Sequence, residues 1–386
     1  MKKIPISQVD SVFAGGLYPI EFLLYFSKPI GSKTIREALK KISSDFWPAF
    51  GNYRNGLLEF AEYREDEHFE ETGIDGSFDQ KQPADDIYQT YHRSIPSDRK
   101  TLFFLKMIQH NNGTVLIAKM NHLSGDGYSY FYLLSTLASV SRAGGIPFKK
   151  GIVRRLYKPH HNRTALREFR FEGTGFKPPE DDVHFETFLQ KIPKSDVRTA
   201  VREIASQSNK KVSTNDVLSS IFVKNLLSVQ SDRFGDNVQL TIPIDVRRHI
   251  KEYGPKFFGN GIWLHTHDFE TEKITAEDFK EFAVRISESM PDVTEESFAA
   301  YLKLLEDISS KENTFLLRPF NPERGCLVTN LSRLPVHRLN FGSGPPDFIY
   351  PLTIEKNSAG ILSDRENFIL RWVVESKGTQ VLPAST

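Results

Sequence analysis

A single cysteine, Cys326, stands in 386 residues. That excludes an internal disulfide and a CxxC-type metal site, and it fits a reducing compartment. An excess of either charge is missing as well. Fifty Lys and Arg against 49 Asp and Glu leave a formal +1, which gives no overall field to hold a nucleic-acid backbone or an anionic membrane. No apolar run reaches the length of a membrane span, and Gln8, Asp10 and Glu21 interrupt the segment after MKK that a signal peptide would need. The expectation is a cytoplasmic protein without a nucleic-acid partner or a membrane span. GxSxG is absent, as are short-period repeats and low-complexity tracts.

What is present is ordinary in amount and generous in one kind. Hydrophobic residues make up 39% and charged residues 26%, typical of a globular chain long enough for two domains or one large double domain. Thirty phenylalanines supply bulky core or pocket lining. Periodicity predicts helices over 34–43, with Thr34 as cap, and over 128–141, 194–208, 217–229, 276–290 and 295–309. A weaker helix is read at 187–191. Strands are read at 57–63, 102–109, 113–121, 238–244, 262–267, 326–331, 348–352, 360–362 and 368–375. His110, Asn111, Asn112 and Gly113 form a hairpin-type connection between two of these strands. Residues 64–72 are mostly acidic and read as a solvated surface.

The stretch MNHLSGDGYSYFY, residues 120–132, concentrates the chemistry. A strand ends there, a helix begins there, and Gly125 and Gly127 sit at the switch where backbone must turn or come close to something. His122 is thereby offered at a strand end, where a neutral imidazole suits general-base work. A lone histidine is more often structural, and the pattern HxxxDG is short, so its company elsewhere matters. Residues 149–170 hold Arg154, Arg155, Lys158, Arg163, Arg167 and Arg170 with little apolar period. A solvated crossover is the simpler reading of them, and contact with nucleotide phosphates the functional one. The pairs His160/His161 and His265/His267 lack partners at metal-ligand spacing, and no metal site is expected. Cys326 reads as a buried strand residue and Ser124 as a small loop residue, neither as a nucleophile.

HxxxDG, at His122, Asp126 and Gly127, resembles the signature of the chloramphenicol-acetyltransferase-like superfamily, which includes BAHD acyltransferases, alcohol acetyltransferases and peptide-synthetase condensation domains. TNDVLSS (214–220), IPIDVRR (242–248) with FFGN (257–260), and VTNLSRLPVHRLNFGSG (328–344) resemble further segments of that superfamily, in order and spacing. Departures accompany the match. Asn340 and Ser343 replace the aspartate and tryptophan of the BAHD segment DFGWG, and Leu331 stands where many members have tryptophan. Asn121 replaces the first histidine of HHxxxDG in condensation domains, and a closing helix after the last strand is missing. The subfamily therefore stays open.

The resemblance implies an α/β fold of two similar lobes, each an open mixed sheet with helices, around a central channel. The N-terminal lobe would span 1–150 and carry HxxxDG, a crossover linker 151–180, and the C-terminal lobe 181–386. It implies an acyltransferase with no bound cofactor and acyl-CoA as co-substrate, acting on a hydroxyl or amine of a small-molecule acceptor. His122 would be the base, with Thr329 and Asn330 as oxyanion donors. Asp126 would point away from His122 and brace the turn through Arg247. Family position also suggests that Ser213, Thr214 and Arg333 contact donor or acceptor, beside the simpler readings of helix caps and a surface charge. Two alternatives stay open: a transferase using a carrier-protein thioester, and a non-catalytic binding member of the same fold. Acyl group, acceptor and oligomeric state are not specified, and a monomer suffices.

Overall fold

The computed structural model describes residues 1–15, 18–92, 101–142, 152, 154, 185–208, 210–311 and 317–376. The basic segment 149–170, apart from Ile152 and Arg154, lies outside the described residues, as do His160, His161, the glycines at 144–145 and the tail beyond 376. The first half contributes β1 (Lys2–Pro5), α1 (Gln8–Ser11), β2 (Pro19–Phe26), α2 (Ser32–Ser43), β3 (Asn52–Arg54) and β4 (Leu57–Phe60). It continues with α3 (Glu65–His68), β5 (Phe69–Gly73), α4 (Ala84–Tyr91), β6 (Phe103–His110), β7 (Gly113–Asn121) and α5 (Gly127–Arg142). The second half adds β8 (Phe185–Pro193), α6 (Lys194–Ser208), α7 (Thr214–Gln230), β9 (Asn237–Asp245), β10 (Ile262–Glu270) and α8 (Thr271–Ala276). Then come α9 (Phe279–Ser289), α10 (Glu295–Lys311), β11 (Gly325–Asn330), β12 (Phe348–Pro351), β13 (Ser358–Ser363) and β14 (Asn367–Glu375).

These elements form two mixed α/β lobes. One sheet runs β12-β2-β7-β6-β5, the other β10-β9-β11-β13-β14-β8, and a small β1-β4-β3 sheet stands apart. β2 and β7 are almost wholly buried because both faces are covered. Ile20, Phe22, Leu24 and Phe26 enter the core under α2 and α5, while Leu23 and Tyr25 face Phe78, Ile87 and Tyr91 on the α4 side. The β6–β7 hairpin turns through Asn111 and Asn112, with His110 paired to Gly113, and β7 then runs straight into His122. In the second lobe, Cys326 and Val328 of β11 and Leu370 and Trp372 of β14 pack under α6, α7 and α9.

The lobes exchange segments. β12 lies between β11 and β13 in sequence yet pairs with β2 as the edge of the first sheet, Tyr350 opposite Leu23. In return Val9, Val12 and Phe13 of the N-terminal segment pack with Trp263, Phe298 and Tyr301 of the second half.

Several local expectations are corrected. Residues 187–191 are strand, not helix. Phe185, Phe188 and Ile192 have helix-like spacing, but β8 pairs with β14 along nine positions, and Phe188 stacks on Trp372 at 5.1 Å. The ladder overrides the local period. Helix α2 begins at Ser32, so Thr34 lies in its first turn and donates to the Gly31 carbonyl at 2.8 Å instead of capping. The helix read from 276 to 290 starts at Phe279, because Asp278 caps α9 in a reciprocal box with Glu281. The strand at 57–63 stops at Phe60, and the acidic run holds α3 and the first part of β5.

Candidate active site

The turn after β7 is built by its own side chains. Asn121 Oδ1 accepts the Leu123 amide at 2.9 Å, an Asx turn that swings the chain out of the sheet. Ser124 is fully buried and donates to the Pro48 carbonyl, a holding role and not a nucleophile's. At Gly125 a Cβ would sit 2.7 Å from Ser129 Cβ, so only glycine lets α5 start this close to the turn. Gly127 meets Leu331 in the same way, a Cβ there lying 2.9 Å from Leu331 Cδ2. Leu331, the residue in the tryptophan position, is thus packed against the start of α5.

His122 is partly buried. Its ring stacks on Phe13 with centroids 4.1 Å apart and planes 12° from parallel, and its amide donates to the Tyr18 carbonyl. Asn260 decides its tautomer. The Asn260 amide nitrogen donates to Asp10 Oδ1 at 2.7 Å and to the His122 carbonyl at 2.6 Å. Asn260 Oδ1 therefore faces His122 Nδ1, 3.2 Å away, and an oxygen there requires the proton on Nδ1. Nε2 keeps its lone pair and has no hydrogen-bond partner among the described residues. Burial pulls the His122 pKa below its ordinary value, against the opposing pull of Asn260, Asp126 and Asp10.

Among the described residues Asp126 makes no hydrogen bond to that imidazole. Its carboxylate takes a bidentate pair from Arg247, Nη1 to Oδ2 at 2.8 Å and Nη2 to Oδ1 at 2.9 Å. It also accepts the amides of Ser129 and Gly261. Burial by itself would raise the Asp126 pKa, but the Arg247 charge and these four hydrogen bonds outweigh it and hold the carboxyl below the usual range. Arg247 further donates to Asp245, Ser129 Oγ and the Gly259 carbonyl and lies over the Tyr128 ring.

A second buried ion pair holds the same turn. Arg154 Nη2 reaches Asp10 Oδ2 at 2.8 Å, with side chains 4% and 1% exposed, while Arg154 Nη1 donates to the Ser124 and Phe258 carbonyls. The solvated reading of Arg154 is corrected: a guanidinium with three buried acceptors anchors the turn. Gly259 lies directly beneath it, where a Cβ would overlap the guanidinium. Loop 257–261 is thus gripped by both arginines.

The remaining candidates are dispersed. Thr329 lies on the β11 face opposite Cys326 and Val328. Asn330 donates to Asn215 Oδ1 at 3.0 Å and accepts from Ser332, so its side chain links β11 to α7. Ser213 is exposed and forms a reciprocal cap with Asp216 at the start of α7. Thr214 is the first residue of that helix, and Arg333 is exposed on the turn after β11. Asn340 closes its loop by accepting the Gly342 and Gly344 amides. Cys326 is fully buried, and burial pushes its thiol pKa far up. Burial also pulls the His265 pKa down to about 4. Among the described residues no three His, Cys, Asp or Glu side chains gather as a metal would require, and no helix is long and apolar enough to cross a membrane.

The sequence reading missed Asp10 and Phe13, and it used Asn260 only as part of a motif. Asp10 carried one signal, the capping-box spacing Ser7–Asp10, which speaks of a helix start and not of a site. The profile of the Transferase family, the BAHD acyltransferases, matches residues 76–381. The chain belongs to this family. The transferase is thereby a member of the chloramphenicol-acetyltransferase-like superfamily, and Asn340, Ser343 and Leu331 do not remove it from the BAHD group.

Among solved structures, F. graminearum TRI101 complexed with coenzyme A and deoxynivalenol is similar with a TM-score of 0.73 at 12% identity. The likeness covers 97% of this chain and 95% of that one. Vinorine synthase has a TM-score of 0.72 at 16% identity, covering 97% and 90%. The first condensation domain of the CDA synthetase has a TM-score of 0.62 at 12% identity, covering 97% and 91%. No curated protein matches in sequence.

Proposed function

We propose that this transferase moves an acyl group from acyl-CoA to a hydroxyl or amine of a small-molecule acceptor by direct attack, with His122 as general base. The observation that carries this is the Asn260 contact, which holds the proton on Nδ1 and leaves Nε2 free to accept one. The acceptor gives its proton to Nε2 as its oxygen or nitrogen bonds to the thioester carbon. The tetrahedral oxyanion collapses, the C–S bond breaks, and the imidazolium returns the proton to the departing thiolate. Thr329 is our donor for the oxyanion, and Asn330, tied to Asn215, holds the end of β11 in place beside it. Asp126 and Arg247 brace the turn, and Gly127 lets β11 approach it. CoA as donor is supported by the family and by the coenzyme A bound in the TRI101 structure. Ser213, Thr214 and Arg333, at the mouths of α7 and β11, are our contacts for the donor.

The test is His122→Ala assayed for transfer from acetyl-CoA over a panel of alcohols and amines. The variant should fold as the wild type does and lose on the order of 10²–10⁴ in turnover. Turnover at the wild-type rate would refute the mechanism. Activity restricted to acyl groups loaded on a carrier protein would replace the donor and keep the base.

A further inference from the structure

Three charges that the proposed reaction leaves unused stand on β14, β2 and β7 and are connected through Thr353 and the β2–β7 pairing. Arg371 of β14 is 4% exposed. Its Nη1 donates to the Thr353 carbonyl at 2.7 Å and its Nε to the Tyr350 hydroxyl at 3.4 Å, but buried Nη2 has no partner among the described residues. Glu21 of β2 is fully buried, and among the described residues neither carboxylate oxygen accepts a hydrogen bond. His92 Nδ1 comes within 3.0 Å of it, out of hydrogen-bonding geometry. Lys119 of β7 is the cross-strand neighbour of Glu21 and has no hydrogen-bond or ion-pair partner among the described residues. Burial pulls its pKa down.

These groups are linked. Thr353 joins them, since its hydroxyl accepts the Glu21 amide while its carbonyl holds Arg371. Arg371 lies opposite Gly360, and Gly360 opposite Thr329, on one face of the second sheet. A Cβ on Gly360 would meet nothing within 4 Å, so the sheet surface between Arg371 and Thr329 is open. Lys119 precedes His122 by three positions across the end of β7, at most about 10 Å. Thr329 and Arg371 are two strands apart, again about 10 Å.

Unpaired buried charge is costly and is retained where something else completes it. With His92 beside Glu21 neutral, two cations and one anion leave a single positive charge, which suits a monocarboxylate. The free edge of a guanidinium held by its other nitrogens is an oriented donor for such a group. We propose that Arg371 and Lys119, balanced by Glu21, form a subsite for a carboxylate carried by one of the two substrates, with its reacting end at His122. The substrate class is thus a small carboxylic acid bearing a hydroxyl or amine, or an acyl group with a free terminal carboxylate. This rests on the acyl-transfer reading above.

The test separates the two. Calorimetric titration of the full chain with benzoate and with benzamide, in wild type and in His122→Ala, reads the subsite without turnover. Benzoate should bind about tenfold more tightly than benzamide in both proteins, and Arg371→Gln and Lys119→Gln should each erase most of that preference. Equal binding of acid and amide to the wild type overturns the subsite, and so does a preference that survives in Lys119→Gln and in any Arg371→Gln that folds. If only the latter fails to fold, the wild-type and Lys119→Gln titrations still decide. Turnover then locates the group, comparing 4-hydroxybenzoate with its methyl ester as acceptor and glutaryl-CoA with valeryl-CoA as donor. Preference for the acid on either side supports the subsite, and absence of preference on both overturns it.

Discussion

At the scale of single residues the proposed chemistry rests on how one imidazole is held. Burial lowers the His122 pKa, so activity should fall as pH drops through an apparent value below about 6.5 and level off above it. Stability carries the same sign. The unfolded chain protonates this ring at higher pH than the folded one does, so its contribution declines as pH falls below about 6.5. A rate profile flat from about pH 5 to 9 would point to another base. Asn260→Ala should reduce kcat on the order of 10–100-fold with little change in KM, because the ring loses its tautomer while Nε2 remains. Asn260→Asp should move the profile upward, since a carboxylate beside Nδ1 favours the imidazolium; an unmoved midpoint would mean that Asn260 does not set the state of the ring. HxxxDG made His122 and Asp126 legible in the sequence. Asp10 and Arg154 were not legible, because a pair separated by 144 positions leaves no local pattern, and each residue has an ordinary reading of its own.

At the scale of elements, the strands delivering the site were readable because β6, β7, β9 and β11 are runs of apolar residues bounded by turn formers. β8 was not, since an edge strand half open to solvent carries a mixed pattern and takes its state from β14. The loop 257–261 has no period at all, yet it joins both buried arginines to the histidine. Gly259→Ala should therefore lower stability by about 1–3 kcal/mol through overpacking against Arg154 and lower activity with it, whereas Gly235→Ala, in an open turn, should cost only what its backbone conformation demands. Denaturant titration of the two variants checks this, and equal losses would deny the loop its role. Cys326→Ser buries a hydroxyl in the α6–α7 core and should affect stability more than chemistry. Intact mass after mixing with donor alone should show no adduct, because the proposed scheme passes through no acyl-enzyme.

At the scale of the whole molecule the Asp126–Arg247 pair joins the two lobes. Breaking it from either side leaves a buried charge uncompensated, so Asp126→Ala and Arg247→Ala should each cost about 3–5 kcal/mol, and the double variant less than their sum. Additive losses in chemical denaturation would mean that the pair does not act as one. The two-lobe architecture was legible through the resemblance of four segments in register, but the exchange of β12 and of the N-terminal segment between lobes was not. A strand's hydrophobic pattern says that it will be buried, not in which sheet.

That exchange has a consequence in time. A ribosome makes β2 long before β12, and the first sheet lacks its edge until residue 351 has appeared. Until then β2, reading PIEFLLYF, presents an open edge of apolar chain, the kind that recruits strands from neighbours. The nascent protein should therefore lean on chaperones late, and a chain released before β12 should be rescued by supplying that strand as a separate peptide.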